Sequence, residues 1–333
     1  MKISYVIEPY FSVGGCQRQL ESWKRNLHLL GLDVSLDPNI SNSDAIHFFP
    51  INNLQMFNQI RRGAKSKSIV SCNYWSNSSK FYSFAKKMTL ISPAIFNNIR
   101  PVAAYRERYE FFRNCNSLIA NTKAESELIQ FEYGIDNNLI HVIPNTVDDI
   151  FFEHESISPN EKNPPYLLTI ATIDPRKNQH LVAHVAKKLK IEYHIYGSVF
   201  DKNYLERILK IGGGFVKYKG LLVHGSPQML AAIDGCSLYL LPSWWETPGI
   251  SAMEAAVRNR PIIVTDVGGA REYFGDFASY SDGESLDQMM VEKMLCRVEN
   301  SIVKYVPDYK TKFRGLNSAL LLRNLYNYIT EMS

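Results

Sequence analysis

The sequence predicts an α/β fold of two doubly wound, Rossmann-like domains that face each other across a cleft. Short apolar runs alternate with helical patterns through most of the 333 residues, as in a series of βαβ units. Several runs are apolar without alternation, as expected for parallel strands covered on both faces. One polar stretch with three prolines, EHESISPNEKNPP at residues 153–165, interrupts the pattern and is interpreted as a linker. The predicted domains are therefore residues 1–152 and 166–316.

The elements follow in order along the chain. Strands are predicted at Ile3–Ile7, Ala45–Phe49, Ser68–Cys72, Ser117–Ala120, His141–Ile143, Leu167–Ala171, Tyr193–Tyr196, Phe215–Tyr218, Leu238–Leu241 and Ile262–Thr265. The clearest helix is Cys16–Leu30, because its apolar residues recur at helical spacing and Gly31 supplies a stop. A last helix, about residues 317–333, has leucines at the same spacing and is expected to pack back on the first domain.

Composition excludes several classes of protein. Hydrophobic residues make up 45% and aromatic residues 12% of the chain, which excludes a disordered or fibrous protein. No apolar run reaches the length that spans a bilayer, and the N-terminus lacks the pattern of a signal peptide. Five cysteines never occur in CxxC spacing, which favours free thiols in a reducing cytoplasm over zinc sites or disulfides. The net charge of +4 is too small to predict a nucleic-acid partner.

Positive charge is concentrated in the first third of the chain. Residues 1–110 contain fourteen Lys and Arg against seven Asp and Glu, a net charge of +7 in a chain whose total is +4. The cations that crowd one segment are Arg61, Arg62, Lys65, Lys67, Lys80, Lys86 and Lys87. Such a surface could contact an anionic membrane face peripherally, or hold a lipid-linked or acidic acceptor. The alternative is that these cations are dispersed and solvated.

Two carboxylates follow the predicted strand Leu238–Leu241, in the segment PSWWETPGISAMEAAV. Glu246 and Glu254 are separated by seven residues, and a helix is expected to begin between them, near Ser251. Gly249 would let backbone N–H groups approach an anion, and the helix N-terminus adds the positive end of its dipole. Carboxylates accept paired hydroxyl groups well. The segment therefore predicts a site for a sugar, a diphosphate and a nucleoside, at strand ends that face the interdomain cleft.

This segment resembles the E-x7-E motif of retaining glycosyltransferases with two Rossmann-like domains, the GT-B type, and in particular the glycosyltransferase family 4 group. Further segments resemble the same family in the same order along the chain: Ser12–Gly15, Leu118–Asp149, Thr169–Val182, Tyr218–Ser243 and Val267–Glu272. The resemblance implies transfer of a sugar from a nucleotide-sugar donor, with UDP or GDP as the expected nucleotide, to a hydroxyl of a glycan or lipid-linked acceptor. It also implies retention at the anomeric carbon, no metal cofactor, and a role in cell-surface polysaccharide or lipopolysaccharide synthesis.

The resemblance also implies roles for individual residues. Glu246 would contact hydroxyls of the transferred sugar, and Arg176 with Lys177 would hold the phosphates of the leaving group. The donor would further be bound by Glu254 at the ribose and by backbone groups at Gly14, Gly15, Gly249, Ile250 and Ser251. No Asp-x-Asp pair is present in the sequence to hold a metal, so cations and backbone N–H groups are expected to neutralise the diphosphate.

The sequence departs from the family pattern at one position of the first domain. Many family members have a histidine where this chain has Asn73, in the segment SCNYWS, and an amide cannot act as a base. Either Asn73 positions a substrate group or the role of that histidine is absent. His47 in the preceding strand is a candidate to reach the cleft, with a structural or exposed histidine as the alternative. Trp245 could stack on a sugar or a base, or serve in packing.

Two alternatives stay open. The chain could be a non-catalytic, transferase-like subunit that binds a glycan or a partner enzyme, an alternative that the Asn73 departure keeps open. It could also be a sugar-nucleotide epimerase or a phosphorylase on the same scaffold. The pair Glu246 and Glu254, together with Arg176 and Lys177, favours a glycosyltransferase of the cytoplasm, at most peripherally bound to the inner face of the membrane.

Overall fold

The computed structural model describes residues 1–7, 14–36, 42–49, 54–76, 100–153, 164–247, 249–299 and 311–331, without the side chains of residues 100–102 and 297–299. The chain forms two compact units: unit 1 comprises Met1–Thr146 and Gly315–Ser333, and unit 2 comprises Val147–Arg314. Each unit contains a six-stranded sheet in which neighbouring strands are parallel. The predicted α/β class, with two doubly wound sheets, is therefore confirmed.

Unit 1 has the strand order β2-β1-β3-β4-β5-β6. Its strands are β1 Lys2–Val6, β2 Asp33–Ser35, β3 Ala45–Phe48, β4 Lys67–Ser71, β5 Ser117–Ala120 and β6 Ile140–Val142. Its described helices are α1 Gly15–Leu29, α2 Leu54–Gly63, α3 Arg100–Arg113, α4 Lys123–Tyr133 and, from the end of the chain, α12 Gly315–Glu331. A 3₁₀ turn, Asn137–Leu139, precedes β6.

Helix α1 illustrates why these elements form where they do. Its apolar stripe buries Leu20 and Trp23 against the sheet of unit 1. Gly31, with a φ of +79°, supplies the left-handed backbone that ends the helix. Helix α12 packs along α1 and buries Leu322 and Tyr326 in the same core. The last helix of the chain is thereby part of unit 1.

Unit 2 has the strand order β12-β11-β10-β7-β8-β9. Its strands are β7 Tyr166–Ile170, β8 Glu192–Tyr196, β9 Val216–Tyr218, β10 Leu238–Leu241, β11 Ile262–Thr265 and β12 Ala278–Ser281. Its described helices are α5 Ile150–Glu153, α6 Gln179–Leu189, α7 Lys202–Gly212, α8 Pro227–Gly235, α9 Ile250–Val257, α10 Ala270–Phe274 and α11 Gln288–Glu299. Short 3₁₀ helices lie at Pro175–Lys177, Gly213–Phe215 and Gly275–Phe277.

Each doubly wound sheet has a switch point at which the order of its strands reverses. The switch point lies between β1 and β3 in unit 1, and between β7 and β10 in unit 2. Loops that leave the carboxyl ends of such neighbouring strands diverge to opposite faces of the sheet and leave room for a ligand. In unit 2 these two loops contain Arg176 with Lys177, and Glu246.

The two units divide between Thr146 and Val147, earlier in the chain than the predicted linker at residues 153–165. Val147 and Phe151 are buried in the core of unit 2, and the Val147 N–H donates to the carbonyl of Phe313 at 2.9 Å. These apolar residues belong to the second core, which moves the boundary toward the N-terminus. Residues 154–163 of the predicted linker lie outside the described residues.

No helix in the described part of the chain is long and apolar enough to cross a membrane. The basic segment predicted from the sequence is only partly described. Arg61 and Arg62 lie at the end of α2, and Lys67 begins β4. Three further cations of that segment, Lys80, Lys86 and Lys87, lie outside the described residues.

Candidate active site

The turn after β7 presents Arg176 and Lys177 at the carboxyl edge of the sheet. Asp174 caps this turn by accepting a hydrogen bond from the Arg176 N–H at 2.9 Å. Asn178 then adopts a left-handed conformation with a φ of 54°. Its buried side chain donates from Nδ2 to the carbonyl of Gly283 at 2.8 Å. Contacts on both sides therefore hold the cationic pair in place.

Glu246 lies in the turn after β10 and pairs with Lys177. Lys177 Nζ donates to Oε1 of Glu246, and Ser243, which the sequence does not single out, donates from Oγ to the same oxygen at 2.9 Å. Only 12% of the Lys177 side chain and 18% of the Glu246 side chain are exposed. Burial would raise the pKa of Glu246, but the cations of Lys177 and Arg176 outweigh it and hold that pKa below its ordinary value. Glu246 is therefore an anion at neutral pH.

Arg176 also contacts the turn after β10, through Trp245 and Trp244. Its guanidinium lies 4.5 Å from the centroid of the Trp245 ring, and Nη1 donates to the Trp245 carbonyl at 3.4 Å. The Trp244 N–H donates to the carbonyl of Arg176 at 2.9 Å. Trp245 remains 43% exposed while it contacts the cation. The structure thus brings Arg176, Lys177, Glu246 and Trp245 together, all of them predicted site residues.

Two glycines let the turn around Glu246 close. Gly249 precedes α9 without a side-chain cap, and a Cβ there would lie 2.2 Å from Cδ2 of Leu241. Gly268 follows β11 with a φ of +61°, and a Cβ there would lie 1.6 Å from the backbone oxygen of Glu246. Atoms cannot approach so closely, so a side chain at position 268 would displace the turn, whereas one at position 249 would have to move the side chain of Leu241.

Helix α9 positions the second carboxylate of the motif. The helix begins at Ile250, and Ser251 in its first turn hydrogen-bonds with the hydroxyl group of Tyr239. Glu254, one turn further, is 2% exposed, and its Oε1 lies 2.7 Å from Nε2 of His224. Because a carboxylate only accepts hydrogen bonds, Nε2 of His224 carries the proton.

His224 is a site residue that the sequence reasoning misses. It lies in the loop between β9 and α8, where Gly220 and Gly225 have φ values of +83° and +66°. Its ring packs against Phe151, with 5.2 Å between the ring centroids. A histidine in a glycine-bounded loop after a strand is a weak signal. Nothing in the local sequence indicates that it meets Glu254.

Three predicted residues of unit 1 lie near one another at the carboxyl edge of its sheet. Gly14 precedes α1 without a side-chain cap, and Gly15 is the first residue of that helix. Asn73 follows β4 with a φ of 43°. Its Nδ2 lies 3.3 Å from Sγ of Cys16, in the first turn of α1, and its Oδ1 accepts from Nδ2 of Asn121 at 2.6 Å.

The structure corrects the expectation that His47 reaches a substrate. His47 is fully buried in β3, with Nδ1 2.7 Å from the Tyr326 hydroxyl of α12 and Nε2 2.8 Å from Oγ of Ser71. The Tyr326 hydroxyl is also 2.7 Å from that of Tyr5. Burial lowers the pKa of His47 to about 3, so the imidazole is neutral. It points into the core between the sheet and α12, and it ties that helix to the sheet.

Within the ranges that the structure describes, no group of three or more His, Cys, Asp or Glu side chains is arranged to hold a metal ion.

A comparison of the sequence with models of protein families agrees with the geometry of unit 2. Residues 151–297 match the family model described as glycosyl transferases group 1. This stretch of the chain is therefore similar to that family. The matched stretch runs from α5 into α11 and includes Arg176, Lys177, Glu246 and Glu254. No curated protein matches the chain significantly by sequence.

Solved structures share the fold of the whole chain. A glycosyltransferase from Rickettsia africae matches with a TM-score of 0.70 at 14% identity, covering 100% of this chain and 99% of that chain. Sucrose-phosphate synthase from Thermosynechococcus elongatus matches with a TM-score of 0.76 at 12% identity, covering 100% of both chains. HepE from Anabaena, solved with UDP-glucose, matches with a TM-score of 0.66 at 16% identity, covering 100% of this chain and 99% of the HepE chain. The likeness shows that the chain has the GT-B fold.

Proposed function

We propose that this chain is a retaining glycosyltransferase that moves a sugar from a nucleotide-sugar donor to a hydroxyl group of a glycan or glycolipid acceptor, without a metal ion. The observation that supports this most is the pairing of Lys177 with Glu246 at the switch point of unit 2, joined by Arg176. Burying a charged pair costs desolvation energy that its attraction rarely repays, so such a pair at a ligand-binding edge favours a functional role. The match of residues 151–297 to the glycosyl transferases group 1 family and the GT-B fold support the same reaction.

In this proposal the two cations receive the leaving group. Negative charge develops on the diphosphate as its bond to the sugar breaks, and the turn after β7 presents Arg176 and Lys177 already in place. Arg176 can bind phosphate oxygens bidentately, whereas Lys177 acts as a point charge. Retention follows either from attack on the face that the phosphate leaves, with a phosphate oxygen taking the proton of the acceptor hydroxyl, or from a covalent intermediate.

The two carboxylates bind hydroxyl groups at opposite ends of the donor. Glu246 is ionised and accepts hydrogen bonds from hydroxyls of the transferred sugar. Glu254 accepts from the ribose, and the hydrogen bond from His224 holds the plane of its carboxylate. Backbone N–H groups at the start of α9, at Ile250 and Ser251, face the diphosphate.

A UDP-linked sugar is the first donor to test. HepE was solved with UDP-glucose and also with UDP and glucose. TarM from S. aureus was solved with α-GlcNAc-glycerol and UDP. It matches with a TM-score of 0.55 at 17% identity, and the match covers 93% of this chain and 57% of the TarM chain. These ligands belong to those proteins and motivate the choice of donor here. An acceptor from cell-surface polysaccharide or lipopolysaccharide synthesis is proposed on the family resemblance alone.

The proposal is tested first by thermal shift with UDP, GDP, ADP and their sugars, because stabilisation follows occupancy. One nucleotide should raise the melting temperature. With that donor, Glu246→Gln should keep the shift and lose about 100-fold or more in turnover, since it removes a charge that acts on the transferred sugar. Glu254→Ala should mainly reduce the shift. Glu206→Gln, on the exposed face of α7, is the matched control and should behave as wild type.

Retention and metal independence need separate measurements. Proton NMR of the first product formed should show the anomeric configuration of the donor, and excess EDTA should leave the rate unchanged. Wild-type turnover in both carboxylate variants would refute the site assignment. A chain that binds glycans but gives no thermal shift with any nucleotide at millimolar concentration would instead be the non-catalytic subunit that the Asn73 departure keeps open.

A further inference from the structure

Asn73 lies at the outer end of a buried hydrogen-bond network in unit 1. We propose that Glu125, acting through Asn121, holds the Asn73 amide with its NH2 group toward the ligand, so that Asn73 donates a hydrogen bond to an oxygen of the acceptor. This inference rests on the proposed glycosyltransferase function. Glu125 and Asn121 are positioning residues, since they act through Asn73.

Glu125 is buried in the first turn of α4, where it joins two loops. Its N–H donates to Oγ1 of Thr122 at 2.9 Å, which caps the helix. Its carboxylate accepts from the N–H of Tyr74 at 2.6 Å and from the N–H of Asn121 at 2.7 Å. Because Tyr74 directly follows Asn73, Glu125 ties the loop after β4 to the turn after β5.

An amide can present either its oxygen or its nitrogen, and this network decides between them. Burial raises the pKa of Glu125 to about 7, while hydrogen bonds from the backbone of Tyr74 and from the backbone and side chain of Asn121 act in the opposite direction. In the ionised form, which these hydrogen bonds favour, the Glu125 carboxylate only accepts, so Asn121 turns its NH2 group to this side. The same Nδ2 of Asn121 lies 2.6 Å from the oxygen of Asn73. Asn73 therefore turns its oxygen toward Asn121 and its NH2 group toward Cys16.

The outward NH2 group is suited to a ligand oxygen. Its described contact is Sγ of Cys16 at 3.3 Å, and sulfur is a weak acceptor that an oxygen can replace. The Asn73 side chain is partly exposed. Where many family members have a histidine, this chain offers a donor that cannot take up a proton.

The donor role is tested by Asn73→Asp, which replaces the outward NH2 group and adds a negative charge, and by Asn73→Ala, which removes the group without adding a charge. Asn73→Asp keeps the size of the side chain, a backbone with a φ of 43° that Asp tolerates, and the hydrogen bond from Asn121. It replaces the outward NH2 group by an oxygen. We expect kcat/KM for transfer to fall about 10-fold or more in Asn73→Asp and in Asn73→Ala, as for one lost hydrogen bond. The thermal shift with nucleotide should stay as in wild type. Wild-type kcat/KM in Asn73→Asp would overturn the donor role.

The positioning role is tested by double-mutant cycles, which separate it from the contribution of Glu125 to folding. Asn121→Ala and Glu125→Gln are each made in the wild type and in Asn73→Ala. If both residues act through Asn73, each lowers kcat/KM in the wild type and has no further effect in Asn73→Ala. Equal losses in the two backgrounds would show a merely structural role and overturn the proposal.

A third measurement does not depend on activity. If the wild type transferred no sugar from any donor, the proposed function would fail, and the orientation of Asn73 could still be read by NMR on the isotope-labelled full chain. A scalar coupling across the hydrogen bond from Nδ2 of Asn121 to Cγ of Asn73 is expected. A coupling in the reverse sense, from Nδ2 of Asn73 to Cγ of Asn121, would overturn the assignment.

Discussion

Replacing Gly268 with alanine should disable the site without removing any charged group. The position has a φ of +61°, where an alanine costs about 1–2 kcal/mol. Its Cβ would also lie 1.6 Å from the backbone oxygen of Glu246. Since real Cβ atoms do not approach within 3.0 Å, the two backbone segments must separate by more than about 1 Å, and a misplacement of that size can lower the rate ~100-fold.

Gly134→Ala is the matched control for this prediction. Gly134 has the same φ of +61°, but an ideal Cβ there meets no atom within 4 Å. Both variants should lose about 1–2 kcal/mol in urea unfolding from the left-handed backbone, and Gly268→Ala should lose more. Only Gly268→Ala should show the ~100-fold fall in kcat/KM. Equal activity in the two variants would refute the argument that glycine is needed for the approach to Glu246.

The remaining predictions concern His224, His47 and Lys177. His224→Ala removes the hydrogen bond from Nε2 of His224 to the buried Glu254, so nucleotide binding measured by calorimetry should weaken about 10-fold. His224→Gln should retain part of the affinity, and unchanged affinity in His224→Ala would contradict this prediction. Burial lowers the pKa of His47 from 6.5 to about 3, so below pH 6.5 the unfolded chain binds a proton that the folded chain does not. This residue should therefore reduce the free energy of unfolding by roughly 1.4 kcal/mol for each pH unit below 6.5. Urea unfolding of His47→Phe between pH 7 and pH 5 should lack that contribution, and an identical pH slope would exclude it. Lys177→Met removes a cation that holds the pKa of Glu246 down, so carbon NMR of the Glu246 carboxyl should show a higher pKa than in wild type.

The residues of the candidate site could be selected from the sequence because each follows an apolar strand. Parallel strands end on one edge of a sheet, which predicts that charged residues after such strands lie close together. Arg176 and Lys177 follow β7, Glu246 follows β10, and the two turns are in contact. The contact itself depends on β7 and β10 being neighbours, although residues 171–237 separate them in the chain. Strand order is set by the packing of the whole unit and has no local pattern.

The two histidines show where local pattern fails. His47 was a candidate to reach a substrate, and its partner in the core is Tyr326, 279 residues further along the chain. His224 was not singled out, and it meets Glu254 across 30 residues. A single histidine has the same local signature whether it is buried in a core or lines a site, so only the tertiary contact distinguishes the two.

Two strands, β2 and β12, are absent from the sequence prediction for a related reason. Both are edge strands, with the sequences DVS and ASYS. An edge strand pairs on one side only and can be short and polar, so it does not form an apolar run. The unit boundary is misplaced because Val147 and Phe151 lie in a short, mostly polar segment, and their burial in unit 2 depends on the distant residue Phe313.

The carboxyl edges of the two sheets differ in chemistry, and the difference suits the two halves of the proposed reaction. In unit 2 the polar groups are ionic, with Arg176, Lys177 and Glu246 in mutual contact. A departing diphosphate requires cations, since its charge increases as the bond breaks. In unit 1 the groups near the start of α1 are the neutral amides of Asn73 and Asn121. A neutral hydroxyl group needs orientation, and an amide loses less solvation energy than an ion when a substrate covers it. Among the described residues of these two edges, the ion pair of Lys177 and Glu246 thus lies in unit 2, where the proposal places the leaving group.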